Sequence, residues 1–259
     1  MGEGMAGNYW IRRRSHFLMN LLSYVLMAVA FLAGVLKSGF GIGAGIFLTP
    51  ILALVTDPKE AVVLVAPMML FTDATAVYQY WRQWNVRDIL SLAPPCLIGA
   101  MAGVFLLNWF TPDLARRAIG FIGLFYVGTE LLKIGLRLSP ASQGLTRSIP
   151  IGLVAGVASA LSNSGGVFLS TYVAGRLKKE YFVGTLVAVF LGLNMTKVGM
   201  FTGLGLLTSK LWVIELGLIP LLLLGGWVGK GLNRRIPEKD FKRWIFILII
   251  GACIKLIFF

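Results

Sequence analysis

Three ionisable residues stand inside or directly against apolar runs, where a charge is costly and therefore informative: Lys37 at the end of one, Asp73 and Lys197 within theirs. Lys37 adjoins a glycine-rich stretch. Asp73 lies thirteen residues beyond Glu60, about 20 Å into its run at helical rise. Lys197 follows Asn194 by one helical turn and shares its face. Buried ammonium groups beside amide donors suit the binding of a small anion. A bare carboxylate repels anions, so Asp73 reads as a counter-ion or a proton carrier for coupling rather than a direct ligand. Lys37 has two readings, anion ligand or ion-pair partner of Asp73, and Lys197 divides the same way between ligand and structural roles. Thr49, Thr75, Thr196, Ser162 and Asn163 add donors, although a helical threonine commonly bonds its own backbone. Glu215 and Lys255 fall near run ends, where they are expected to snorkel, and Glu130 with Lys133 to neutralise each other near an interface.

Other chemistries lack their parts. One histidine, His16, and two separated cysteines, Cys96 and Cys253, assemble neither a metal centre nor a haem site, so no cofactor is expected. The runs hold no nucleophile–base pair, which disfavours an enzyme.

The setting of these residues follows from composition. The 259 residues are 57% hydrophobic and 14% charged, against about 45–50% and 25% in soluble domains, which indicates an integral membrane protein. The net charge of +13 gathers in short loops: Arg12–Arg14, Arg82 and Arg87, Arg116–Arg117, Arg176 with Lys178–Lys179, and Arg234–Arg235. Topology control and contact with the anionic headgroups of a lipid bilayer explain such loops, and no soluble basic domain exists to hold nucleic acid. At the start, Gly2 lacks the Ser or Thr that acylation wants at Ala6. The run after Arg12–Arg14 continues past Ala28–Ala30 to Leu36, so a first membrane helix is expected rather than a signal peptide.

Two stretches must break their helices. In Ser38–Gly45, SGFGIGAG, four glycines alternate, and Ser38, Gly41, Gly43 and Gly45 are candidate ligands through backbone amides. Leu161–Ser170, LSNSGGVFLS, adds polar side chains, with Ser162, Asn163, Ser164, Gly165 and Gly166 as candidates. Broken backbone inside a bilayer is tolerated only under protein or around a water-filled cavity. Each break exposes the amides that open a following half-helix, and such an end favours an anion. Close helix packing is the bland use of the glycines. A dinucleotide loop, Gly39-x-Gly41-x-x-Ala44, lacks its preceding strand.

The runs themselves are Phe17–Leu36, Ala44–Val55, Ala61–Tyr80, Ile89–Trp109 and Ala118–Leu136, then Ile149–Leu161, Val167–Ala174, Tyr181–Leu207, Leu211–Val228 and Trp244–Phe259. A crossing needs about 20 residues, and Ala44–Val55 gives about 18 Å of helix, suited to a re-entrant arm. Gly45–Thr49 matches Gly166–Ser170, Ala33–Val35 matches Ala155–Val157, Asp73–Thr75 matches Asn194–Thr196, and Pro94, Gly99, Gly103 and Pro112 match Pro220, Gly225, Gly229 and Pro237, in order. An all-α polytopic fold of two homologous halves follows. Its parts are a tail 1–16, a first transmembrane repeat 17–137, a linker 138–147 and a second repeat 148–259, together one transport domain. If each half opens with a hairpin and adds three crossings, the count is odd and the repeats are inverted; a kinked single span would make them parallel. The hairpin is favoured. Loop charge leaves both orientations open, because most Lys and Arg then fall opposite the Arg12–Arg14 cluster.

SGFGIGAGIFLTPIL, Ser38–Leu52, resembles the glycine-rich signature of the TauE/SafE sulfite exporter family, also called TSUP, and SNSGGVFLS is similar to that family's second copy. The likeness extends over nearly the whole chain; Ala44 stands where the signature often has a further glycine. It implies multi-pass residence in the bacterial inner, cytoplasmic membrane and export of sulfite or related sulfur-containing anions such as organosulfonates. The expected mechanism is alternating access around two apposed breaks, with Asn194 and Lys197 among the ligands, a proton as candidate coupling ion and a homo-oligomer compatible with the pattern. An anion channel using the same breaks as a filter is the rival.

Overall fold

The computed structural model describes residues 21–37, 44–132, 145–173, 177–232 and 238–258. Among the described residues there are helices and turns and no strand. In chain order the helices are α1 Leu21–Lys37, α2 Ala44–Ala53, α3 Pro58–Gln79, α4 Val86–Trp109, α5 Pro112–Leu131, α6 Leu145–Ser162, α7 Gly166–Val173, α8 Lys179–Gly203, α9 Ser209–Leu232 and α10 Glu238–Phe258. Ser38, Gly41 and Gly43 lie outside the described residues, as do His16, Lys133, Arg12–Arg14, Arg176 and Arg234–Arg235.

Local sequence fixes the helix starts. Asp57 caps α3 by accepting from Lys59 N at 2.8 Å, with Pro58 following. Thr111 caps α5 by accepting from Leu114 N at 3.2 Å, with Pro112 at the first helical position. That cap starts α5 six residues ahead of its apolar run, and α10 likewise begins at Glu238, ahead of Trp244. Arg87, Arg116, Arg117 and Lys179, expected in loops, therefore stand on the opening turns of helices. The first residues of the expected linker's end, Leu145–Arg147, are helical too.

Among the described residues four helices, α3, α4, α8 and α9, have the length and hydropathy to cross a membrane. Leu90, Phe105, Trp109, Val213 and Trp227 are exposed on α4 and α9, as lipid-facing residues are. The short helix α2 is the opposite case: every residue except Ile51 is buried. Phe47, Tyr126 and Phe246 close a ring triangle, with centroids 5.8 to 6.5 Å apart, that ties α2 to α5 and α10. Ten residues of helix are marginal alone, so this protein jacket is what holds α2 in shape.

Glycine contacts set the direction of each element. A Cβ on Gly156 would strike the Cys96 carbonyl and lie 2.5 Å from Ala100 N, so α6 and α4 touch through their backbones. Gly152 meets Pro95 and Val157 meets Gly103, so these two helices run parallel. The corresponding contacts of the first half join Phe31 to Gly225 and Val35 to Gly229, and α1 runs parallel to α9. In contrast α3 and α8 are antiparallel. Asp73 meets Asn194, and beyond the end of α3 Asn85 N donates to Thr185 Oγ1 at 2.9 Å. Successive crossings alternate, so α9 runs opposite α8 and with α3. Hence α1 runs with α3, α6 runs with α8, and the short α2 and α7 carry the chain back between them. The turns that follow α3 and α8 both use a left-handed residue, Arg82 at φ 62° and Gly205 at φ 72°.

Candidate functional site

The end of α6 and the start of α2 meet. A Cβ on Gly45 would lie 2.6 Å from Asn163 Cβ and 2.7 Å from its carbonyl oxygen, so a glycine is required for this approach. Asn163 adopts φ 55°, a left-handed backbone that asparagine tolerates better than most residues, and there α6 stops. Ser162 and Ser164 face this turn: their hydroxyls lie 2.7 Å apart and each is 3.1 Å from the Ala158 carbonyl.

With its backbone so turned, the Asn163 side chain joins three helices. Its Nδ2 donates to Thr49 Oγ1 at 3.1 Å and to the Val62 carbonyl at 3.2 Å. Its Oδ1 accepts from Lys197 Nζ at 2.6 Å, and Lys197 also donates to the Ser159 carbonyl at 3.2 Å. Beside this set stands the second cluster. Lys37 pairs with Asp73 Oδ1, the side chains being 8% and 0% exposed. Asn194 Nδ2 donates to Asp73 Oδ2 at 2.5 Å across 121 positions of sequence, joining two residues that match between the halves. Lys37 Nζ lies 5.3 Å from the centroid of the Phe190 ring.

Both clusters open on one cavity of about 30 Å³. Lys37, Asp73, Asn163, Asn194 and Lys197 line it, together with Gly45, Gly165 and Gly166 at the beginnings of α2 and α7. With both lysines protonated the lining carries one net positive charge, and each half-helix end adds about half a charge of the same sign. An anion is the ligand such a wall accommodates.

Several expected donors turn elsewhere. Thr49 donates to the Gly45 carbonyl at 2.8 Å, Thr75 to Thr72 at 2.8 Å and Thr196 to Gly192 at 3.0 Å, each within its own helix. Ser162 and Ser164 sit behind the cavity rather than in its lining. Sequence reasoning passed over Met69, Phe190 and Ser159, which do line it. For Ser159 a signal existed: the pairing of Gly34 with Gly156 places it opposite Lys37 in the repeat.

Glu215 corrects an expectation. Instead of snorkelling it is 0% exposed on α9, and neither carboxylate oxygen has a hydrogen-bond partner among the described residues. Its register on α9 turns it inward with Leu218 and Leu222. An unsatisfied buried group costs about 1–3 kcal/mol, so Glu215→Leu is expected to stabilise the folded protein by that order. Unfolding in detergent, followed by the tryptophan signal, measures it; a lower midpoint would show that the carboxylate is held by a favourable contact.

Among the described residues no cluster of His, Cys, Asp and Glu is arranged to hold a metal. A family model described as Sulfite exporter TauE/SafE matches residues 26–256 of the chain. No curated protein and no solved structure matches it.

Proposed function

Because the chain belongs to the TauE/SafE sulfite exporter family, and is thereby a multi-pass membrane transporter, we propose that it exports sulfite or a related organosulfonate across the inner membrane by alternating access. The observation that carries this reading is the cavity where Lys197 and the starts of both half-helices converge. Two half-helix ends and a lysine oppose a small oxyanion without the many full charges whose burial would be costly. The substrate contacts are assigned to Lys197 and to the amides about Gly45, Gly165 and Gly166. Asp73, held by Lys37 and Asn194, serves as counter-ion.

The antiparallel course of α3 and α8, whose residues match between the halves, supports an inverted relation of repeats 17–137 and 148–259. A cavity of about 30 Å³ has room for a water molecule or two. Loading therefore separates the breaks, and the Gly45–Asn163 contact is where they part.

Proteoliposomes test the proposal directly. Sulfite uptake should saturate, be competed by alkanesulfonates and proceed without unitary currents. Uptake that rises linearly with steps of current selects the channel, and no uptake of any sulfur oxyanion removes the reading.

A further inference from the structure

Lys197 and Asn194 stand one turn apart on α8, and both face the cavity. Their unused valences differ in kind. The Asn194 amide has its orientation dictated by its neighbour, because the carboxylate of Asp73, paired with Lys37, accepts hydrogen bonds and offers none. Only the NH2 end of Asn194 can meet it, and Nδ2 does so at 2.5 Å. The Oδ1 atom is left on the other side of the amide, in a cavity-lining residue 5% exposed, without a hydrogen-bond partner among the described residues. Lys197 is the converse. Its ammonium has three donors, of which Asn163 Oδ1 and the Ser159 carbonyl take two.

An anion built only of lone pairs can satisfy Lys197 but would face Asn194 Oδ1 with like partial charge. A ligand that also brings an O–H or N–H satisfies both. Asp73 cancels Lys37, so Lys197 is the one full charge left for the ligand, beside the partial charges of the two half-helix ends. The donor that Asn194 Oδ1 accepts, rather than the charge count, separates a protonated anion from a bare dianion.

We propose that the cavity selects a monoanionic sulfur oxyanion carrying its own hydrogen-bond donor, which Asn194 Oδ1 accepts while Lys197 holds the charged oxygens. Hydrogensulfite meets this description rather than the sulfite dianion, and so does a sulfonate with a hydroxyl on its short chain. The inference rests on the transport reading above and narrows its substrate.

Three ligands of equal charge test it on the purified full chain by calorimetric titration: ethanesulfonate, 2-hydroxyethanesulfonate and 2-methoxyethanesulfonate, which respectively add nothing, a donor, and an acceptor alone. The hydroxyl compound should bind about tenfold or more tighter than both others, since a site with a buried group awaiting a partner rejects the analogue that lacks it. Asn194→Leu should level the three affinities. Equal binding of the three to the unaltered protein overturns the donor rule and leaves the transporter standing, whereas absence of binding by all three and by sulfite takes away the transport reading itself. A hydroxyl preference that persists in Asn194→Leu overturns the assignment to Asn194. Should that variant not fold, the comparison of ethanesulfonate, hydroxyl and methoxy compounds on the unaltered chain still decides whether a donor is required.

Discussion

Asp73→Ala is expected to destabilise the protein by about 3–5 kcal/mol, and the double variant Lys37→Met, Asp73→Leu to recover most of that loss. The single change does more than delete one ion pair. It leaves Lys37 and Lys197 lining one cavity with no carboxylate between them, and it strips Asn194 Nδ2 of its acceptor. Removing both charges together avoids the uncompensated ammonium, and the two apolar side chains refill the space near Phe190. Unfolding midpoints in detergent for the two single variants and the double give the coupling energy directly. A double variant as unstable as Asp73→Ala would show that Asp73 stabilises through something other than Lys37. Anion titration of the double variant then separates the readings of Lys37. Retained affinity makes it the partner of Asp73 alone, and lost affinity makes it a ligand as well.

That pair illustrates how far the sequence reached. Charges inside apolar runs are conspicuous, so Lys37, Asp73 and Lys197 could be singled out, and the matching of Asp73 to Asn194 was legible because polar residues rarely align by chance in apolar sequence. The structure adds that these two bond to one another. That Asn163 joins Thr49, Val62 and Lys197 depends on a left-handed turn and a close approach at Gly45 that no spacing rule encodes. The early starts of α5 and α10 escaped because hydropathy marks where a helix enters lipid, while Thr111 and Pro112 mark where α5 begins. Glu215 was misplaced for a related reason. Its distance from the run's end says how deep it lies, whereas its burial is set by which face of α9 turns inward, and exposed apolar residues on the lipid side erase the usual contrast between faces.

Lys197→Met should abolish measurable anion binding while keeping the fold. The methionine chain replaces the lysine stem in a position that is 0% exposed, so packing is largely conserved. What disappears is the ammonium that donates to Asn163 at 2.6 Å and to Ser159 at 3.2 Å, and with it the positive charge that Asp73 does not cancel. Truncating one partner of a buried, hydrogen-bonded charge pair costs about 2–5 kcal/mol, on the order of 30-fold or more in affinity. Lys197→Arg should not rescue binding, because the planar guanidinium points its donors in a fixed fork instead of presenting a compact charge where Nζ meets Asn163 and Ser159. The check is a thermal unfolding series with rising sulfite or alkanesulfonate. The unaltered protein should gain stability with ligand concentration, as mass action requires, and Lys197→Met should stay flat at its own starting midpoint. A ligand-dependent rise of equal size in Lys197→Met would assign the anion to the half-helix ends alone. Salt separates this site from surface attraction: binding in the cavity persists at high ionic strength, whereas binding at exposed arginines fades as the Debye length shrinks.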